Sequence, residues 1–427
     1  MTDQSPDFTR SSEHASLLTR DAKAFFHQEG SSPCLAALRS AQGIYIEDVD
    51  GHRLIDLHGN TAHHLGHAHP DLVATLKTQL DTLTFAPRRY AAAPATELAE
   101  ALLAKWPGAS AKVLFATGGS DAIEIALRLV RVTTGRSGTL SLEGSYHGHG
   151  FAALGLSSAA LDPRLGAQLP GRQHLTPYWR ADLGGARAML NDLTRQLATA
   201  GNNIGCLVAE PIRSNCHLPP DWLWPEVRQL CDAHGVALIF DEIPSGLGKT
   251  GRFFAFEHFD VVPDAVVLGK SLGGGLLPIA AVIADQKMNV APDLNLGHYT
   301  HEKNPLTTRV ALEVLRIIDR DGLVVRAALL GQQARTLIEA RVCGGGPICG
   351  VRGLGLLLAL ELDVDRFPVT TTSASQQMVE VCLRHGISTT TKGAAAIGFS
   401  PPLVITEDEL ADAVARVFAA ADEAVIP

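Results

Sequence analysis

The stretch GVALIFDEIPSGLGKTGRFFAFEHFDVVPDAVVLGKSLGGGLLPIAAVI, residues 235–283, decides the fold. Two short apolar runs, ALIF and AVVL, each lead into groups that carry chemistry: Asp241 and Glu242 after the first, Lys270 after the second. Short uninterrupted apolar runs bounded by turn residues read as strands buried on both faces, the signature of parallel sheets. Ligands of such sheets gather at the strand carboxyl ends, so these groups are expected to share one site. A lysine close to apolar walls has a depressed pKa and condenses with an aldehyde. A strand-end aspartate suits the protonated nitrogen of a heteroaromatic ring; taken alone it reads first as a helix cap or a metal ligand, and the lysine that ends the next strand shifts the balance.

Working outward, apolar runs recur at KVLFA from 112, TLSL from 139 and CLVAE from 206. Helical patterns separate them, such as DAIEIALRLVRV after Ser120 and DWLWPEVRQLCDAHG at 221–235. That alternation predicts a doubly wound α/β sheet. In LFATGGSDAIEIALRLV, 114–130, a strand passes through Thr117-Gly118-Gly119-Ser120 into a helix. The N–H groups of a helix amino terminus suit a phosphate, and glycine allows close approach; a plain strand-to-helix turn would use the same residues. A polar arm covers residues 1 to about 30, and a hairpin turning at Asp50-Gly51 is expected over 43–57. Beyond 305 a long helical stretch leads to the strand pair VRGLGLLLALEL, 351–362, and to a last helix with Thr406 and Glu409 as its capping box. The expected domains are an arm and hairpin over 1–60, packing with the small domain, a large domain over 61–305, and a C-terminal α+β domain over 306–427.

With 46% hydrophobic residues in 427, the chain can bury a large core. A net charge of -9 without any Lys/Arg-rich run argues against nucleic acid and anionic membrane surfaces as partners, leaving a small molecule. No window approaches the roughly 20 apolar residues of a membrane span, and the amino end has no apolar signal core, which points to the cytoplasm. Seven cysteines without CxxC spacing argue against a disulfide framework or a zinc site, and most read as small buried hydrophobes. No metal site is expected in the histidine cluster at 58–69 either.

Taken together with TGGSDAIEIALRLVR, SYHGHG at 145–150, AEP at 209–211, HYTHEKNPL at 298–306 and SPPLVITEDEL at 400–410, residues 235–283 resemble the class III pyridoxal-phosphate aminotransferases. The resemblance runs from about residue 30 onward. It implies the fold type I architecture: α/β, with a large domain whose mostly parallel, seven-stranded sheet is sandwiched by helices, and a smaller α+β domain from the N- and C-terminal segments. It also implies pyridoxal 5′-phosphate as cofactor. Position by position, Lys270 becomes the covalent anchor and catalytic base, and Asp241 the partner of the ring nitrogen. Gly118, Gly119 and Ser120 would hold the phosphate. Tyr146 would stack on the ring, with His147 beside it and Glu210 in the wall of the site. Thr300 would reach the phosphate of a neighbouring subunit, which implies a homodimer with shared sites.

The chain departs from the family pattern in three places. Where the family has Asp-Glu-Val-Gln, this chain has Asp241-Glu242-Ile243-Pro244, and Pro244 cannot donate a hydrogen bond. The usual Gln-Gly-Glu-Gly-Gly is replaced by Ile212-Arg213-Ser214-Asn215-Cys216. The segment AAAIGFSPPL, 394–403, lacks the arginine that clamps an α-carboxylate in many members. Other polar groups suit a dianionic substrate: Asn60 and His64, with His58 and His63 near them, the pair Arg88-Arg89, and Arg213. Of these, Asn60, His64, Arg89 and Arg213 are the candidate substrate contacts. His67 and His69 read as turn residues. Together with DEIP and GHYTHEKNP, these features resemble the branch of ammonia-lyases that act on (R)-1-hydroxy-2-aminoethylphosphonate in phosphonate catabolism. An aminotransferase acting on an amine or amino acid is the main alternative, ahead of a dialkylglycine-decarboxylase-like enzyme or a non-catalytic cofactor-binding protein. In a lyase, the general acid for the leaving hydroxide is Lys270 or a nearby histidine.

Overall fold

The computed structural model describes residues 10–28, 34–158, 162, 164, 172–199 and 203–425. Residues 1–9 and 29–33 of the expected arm lie outside the described residues. The chain divides into two compact units, Met1–His69 with Ala328–Pro427, and Pro70–Ala327. Residues 61–69 therefore group with the terminal segments, and 306–327 with the large unit, unlike the boundaries expected from sequence.

The smaller unit opens with helix α1 (Ser12–Ala24), so the polar arm is helical there. Ser11 caps it, its Oγ accepting from His14 N at 3.2 Å. Strands β1 (Leu38–Gln42), β2 (Tyr45–Asp48) and β3 (Arg53–Asp56) pair antiparallel in that order. The turn between β2 and β3 closes where Gly51, at φ +87°, donates its N–H to Asp48 O, so the expected hairpin is present.

The larger unit carries α2 (Pro70–Leu80), α3 (Ala93–Lys105), β4 (Ala111–Ala116), α4 (Gly119–Thr134), β5 (Gly138–Leu142) and α5 (Phe151–Leu156). It continues with β6 (Arg172–Leu175), α6 (Gly185–Thr199), β7 (Ile204–Ala209), α7 (Leu223–His234), β8 (Ala237–Asp241), β9 (Ala265–Leu268), β10 (Ala280–Asp285) and α8 (Pro305–Arg320). Its seven strands lie in the order β4-β10-β9-β8-β7-β5-β6. Only β10 is antiparallel to its neighbours, β4 and β9. Strand β4 therefore points the same way as the other five, and all six carboxyl ends share one edge.

Helices α4 and α5 cover one face of this sheet. Ile123, Ile125 and Leu129 pack there with Val208, Ile239 and Val267. Strand residues two apart share a face, which puts Asp241 on the same side as Ala237 and Ile239. On the opposite face a run of rings, Trp224, Phe240, Phe256 and Phe254, is in edge and stacked contact at centroid separations of 4.9–6.2 Å. The apolar stripe of α8 packs on α2 and α3, which is why this helix belongs to the large unit.

Helix α9 (Leu323–Val342) follows α8 after Gly322, whose φ of +60° ends the earlier helix. The smaller unit resumes within α9 at Ala328 and continues with β11 (Ile348–Leu354), β12 (Leu357–Leu362), α10 (Ala374–Arg384), β13 (Ile387–Ser388), β14 (Ala396–Phe399) and α11 (Glu407–Ala424). β13 joins the hairpin sheet beside β3, while β11, β12 and β14 make a second antiparallel sheet. The capping box of Thr406 and Glu409 starts α11 as expected. Cys206, Cys216, Cys231 and Cys382 are buried, as small hydrophobes are. No helix among the described residues is long and apolar enough to cross a membrane.

Candidate active site

The shared carboxyl edge of the large sheet assembles Gly118, Gly119, Ser120, Tyr146, His147, Glu210, Arg213, Asp241 and Lys270 of the residues singled out in the sequence. After β4 come Gly118, Gly119 and Ser120, and after β5 come Tyr146 and His147. Glu210 and Arg213 follow β7, Asp241 ends β8, and Lys270 follows β9.

At the β4 end, α4 begins at Gly119 with Gly118 as its N-cap and no side-chain cap. Its amino-terminal N–H groups and dipole face an open cradle suited to an anion. Ser120 Oγ accepts from His149 N at 3.0 Å, which leaves the hydroxyl hydrogen available to donate. Thr117 Oγ1 donates to Asp121 at 2.5 Å and holds that carboxylate. Gly148, at φ +119°, lies so close that an added Cβ would meet Ser120 Oγ at 2.4 Å and Ser120 Cα at 2.9 Å. Gly148→Ala is expected to displace Ser120 and raise the dissociation constant for a phosphate-bearing cofactor at least about tenfold, equivalent to roughly 1.4 kcal/mol. Equilibrium titration of the folded variant with the cofactor measures this, and unchanged affinity would remove Ser120 from the cradle.

Asp241 is buried at 3% exposure, and its carboxylate is fixed from two sides. His147 Nδ1 donates to Oδ2 at 2.8 Å, and Ile243 N donates to Oδ1 at 3.1 Å. Its neighbour Glu242 turns the other way and accepts from Ala255 N at 2.6 Å and Phe256 N at 2.7 Å. Burial pushes Glu242 up to about 8 despite those two donors, so it anchors the following turn as a structural carboxyl group. Tyr146 is 46% exposed. Burial and the Asp241 charge both raise its phenol, which keeps the hydroxyl neutral. A half-exposed aromatic ring near a buried carboxylate suits a flat heteroaromatic ring.

Lys270 opens a tight turn, Lys270–Gly273, directly after β9, and is exposed. Its φ of +46° is the left-handed region that non-glycine residues rarely occupy. Such strain persists where the surrounding structure imposes it, and it concentrates at functional positions. Strands β8 and β9 are paired neighbours, with Asp241 opposite Val267, so Lys270 and Asp241 end adjacent strands. The helix amino terminus with Ser120, the buried carboxylate, the half-exposed Tyr146 and the lysine fit pyridoxal 5′-phosphate.

Arg213 is in a different setting from the one expected. It is buried at 7% exposure and forms an ion pair with Glu210 through Nη1. Nη2 donates to Gly144 O at 2.8 Å, and the guanidinium lies 4.4 Å above the Trp179 ring. The other Glu210 oxygen accepts from Ser214 N at 3.0 Å, so the Glu210 carboxylate is also committed. Only Nε of Arg213 is buried without a hydrogen-bond partner. Arg89 is exposed, whereas Arg88 pairs with Glu302 at 3.2 Å, and Thr300 is exposed. Asn60 and His64 belong to the smaller unit. Asn60 is exposed in the turn Gly59–Thr61, and His64 is buried at 1%. There His63 and His67 both bond Asp56, through its carbonyl at 3.0 Å and its carboxylate at 2.9 Å, which gives them a structural role.

Several residues that sequence reasoning passed over complete the site. Glu124 accepts from Ala152 N at 2.6 Å and Ala153 N at 3.1 Å, fixing α5 against α4. Trp179 supplies the ring beneath Arg213, and Gly148 the close approach at Ser120. The paired glycines of HGHG were the one available signal.

The model of the family described as "Aminotransferase class-III" matches residues 26–421. The chain belongs to the class III aminotransferase family. This class III chain is 34% identical to the (R)-1-hydroxy-2-aminoethylphosphonate ammonia-lyase of Vibrio splendidus (strain 12B01), over 92% of this chain and 87% of that protein. It is 32% identical to the acetylornithine aminotransferase of Mycolicibacterium smegmatis, over 92% and 95%. Among solved structures, the omega transaminase of Pseudomonas jessenii in complex with PMP superposes with a TM-score of 0.89 at 27% identity, covering 96% of this chain and 98% of that one. The α/β architecture described above, with its large, mostly parallel sheet, is the fold type I architecture of class III enzymes.

Proposed function

We propose that this class III family member is an ammonia-lyase that converts (R)-1-hydroxy-2-aminoethylphosphonate, or a close aminoalkylphosphonate, to phosphonoacetaldehyde and ammonia. Its cofactor is pyridoxal 5′-phosphate. The observation that carries the lyase reading is the 34% identity to an enzyme of that activity over 92% of this chain. Two features of the chain support it. Pro244 replaces a hydrogen-bond donor of the family motif, and β14, directly before Ser400, Pro401 and Pro402, is buried and wholly apolar, with no arginine to clamp an α-carboxylate.

When bound, the cofactor takes up the electron pair released at the substrate carbon next to nitrogen. The chain's residues do the rest. The α4 amino terminus and Ser120 hold the phosphate, Tyr146 covers one ring face, and Asp241 keeps the ring nitrogen protonated. Lys270 Nζ removes the proton from the carbon that bears nitrogen. The same Nζ then delivers a proton to the hydroxyl on the neighbouring carbon, so that it leaves as water. Water returns to hydrolyse the resulting enamine, and the net products are aldehyde and ammonia without any second substrate. We further propose that two copies pair so that Thr300 of one reaches the phosphate held by the other.

The aminotransferase reading is favoured by the acetylornithine aminotransferase and omega transaminase relatives. One incubation separates the two: holoenzyme with hydroxy-aminoethylphosphonate and no keto acid, assayed for ammonia and aldehyde. Many turnovers without an acceptor are expected. Turnover that begins only when pyruvate or 2-oxoglutarate is supplied would make the enzyme an aminotransferase.

A further inference from the structure

Arg213 is built into the fold as a brace. Its backbone is fixed first: Arg213 N donates to His217 O at 3.3 Å and Cys216 N donates to Arg213 O at 2.8 Å, closing a tight turn. Tyr178 Oη donates to the same His217 carbonyl at 3.1 Å. From this turn the guanidinium lies over the Trp179 ring, 4.4 Å from its centroid, pairs with Glu210 through Nη1 and donates from Nη2 to Gly144 O at 2.8 Å. A planar fork can hold a carboxylate and a carbonyl at once while its face rests on a ring; a lysine ammonium offers no such plane.

Both ends of the brace sit at the strand-end edge. Ala209 lies opposite Phe240 in the parallel register of β7 and β8, so Glu210 and Asp241 follow at neighbouring strand ends, each 3% exposed. Gly144 lies between the end of β5 and Tyr146. The loop around Tyr146 is otherwise tied to the end of α5 and the residues after it: Ser145 Oγ donates to Leu156 O at 3.0 Å, His147 N to Ser157 Oγ at 2.7 Å and Gly144 N to Ser158 Oγ at 2.5 Å. Arg213 ties the same loop to β7. With Gly144, Ser145 and His147 all held, the backbone on either side of Tyr146 is fixed, and the half-exposed ring between them is presented in one place. Arg213 Nε is buried without a hydrogen-bond partner, so contact with a substrate anion is the competing role.

We propose that Arg213 is a positioning residue for the cofactor: held between Glu210 and the Gly144 carbonyl, it sets the backbone that presents the Tyr146 ring, and it leaves the substrate anion to other groups. This rests on the reading that Tyr146 covers the cofactor ring. Arg213 and Gly144 are 69 residues apart in the chain, and the pairing of β5 with β7 is what brings them together.

The test compares Arg213→Lys, the double variant Arg213→Met with Glu210→Gln, and Tyr146→Ala with the unsubstituted protein. Each is stripped of cofactor and titrated with pyridoxal 5′-phosphate. Visible circular dichroism of the bound cofactor and steady-state kinetics on hydroxy-aminoethylphosphonate are then recorded. Lysine keeps a positive charge beside Glu210 but lacks the fork. Arg213→Lys is therefore expected to weaken the dichroism, to raise the cofactor's dissociation constant and to lower kcat, the last two by about tenfold, the effect of losing one hydrogen bond to a charged group, with KM within about twofold. The double variant leaves no unpaired charge buried, which guards against a folding defect, and its glutamine still accepts from Ser214 N. It is expected to show the same loss of cofactor affinity. Unchanged affinity and dichroism in Arg213→Lys overturn the inference, and a KM raised at least about tenfold would then make Arg213 a substrate contact. A double variant that recovers the original affinity overturns it too, by assigning the effect to the charge on Glu210. The cofactor readouts need no turnover, so they stand whichever reaction the site performs. If Tyr146→Ala itself leaves affinity and dichroism unaltered, the reading of Tyr146 fails and the inference with it; a Tyr146→Ala effect that Arg213→Lys does not share fails the brace alone.

Discussion

Lys270→Ala is expected to lower kcat by at least about a thousandfold while leaving the large sheet folded, because general acid–base groups contribute between about a hundred- and ten-thousandfold. Position 270 lies outside β9, in a turn at φ +46°, so removal of its side chain disturbs no strand and leaves no core cavity. Cofactor affinity should fall much less than turnover, since on the proposed reading the α4 amino terminus, Tyr146 and Asp241 would hold the group without a covalent bond. Borohydride treatment of the unsubstituted holoenzyme should fix the cofactor's mass to the peptide that carries Lys270, and the alanine variant should show no such adduct. An adduct at another lysine, or turnover within about tenfold of the original, would assign the chemistry elsewhere.

Asp241→Asn should lower kcat by about a hundred- to thousandfold, the range found when one preorganised electrostatic group is lost from an active site. Two N–H donors converge on this carboxylate, from His147 and Ile243. An amide offers them one oxygen and turns an NH2 toward the other donor, so the substitution removes a charge and creates a buried donor–donor clash. The ring nitrogen then loses the anion that keeps it protonated, and the carbon next to the substrate nitrogen becomes less acidic. Steady-state kinetics at saturating cofactor isolates this effect from weakened binding. Turnover retained within about threefold would show that Asp241 is structural, as the helix-cap reading of the motif would have it.

The strand-end framework is legible in the sequence for a physical reason. A parallel sheet is buried on both faces, so its strands are unbroken apolar runs, and a β/α alternation puts every strand end on one edge. Lys270, Asp241 and the glycines at 118–119 are recognisable because each directly follows such a run. The single antiparallel strand, β10, was not distinguishable from its neighbours, since an apolar run does not reveal its direction.

Side-chain partnerships were a different matter. Arg213 reads as an anion contact because a cation in a site loop suits a phosphonate. In the fold its charge is already met by Glu210, three residues earlier, and its face by Trp179. With Nη1 on Glu210 and Nη2 on Gly144 O, a substrate anion must use the N–H groups these contacts leave over, Nε among them, or compete with Glu210. His63 and His67 similarly reduce to braces on Asp56.

Sequence alone therefore determined the class of fold, the order of the strand-end groups and the chemistry they imply, because these depend on local pattern and chain order. Tertiary structure alone decided which groups are committed to one another. The His147–Asp241 bond joins residues 94 apart, and the Ser141–His174 bond residues 33 apart. Such contacts follow from strand register and loop path, which no periodicity along the chain encodes.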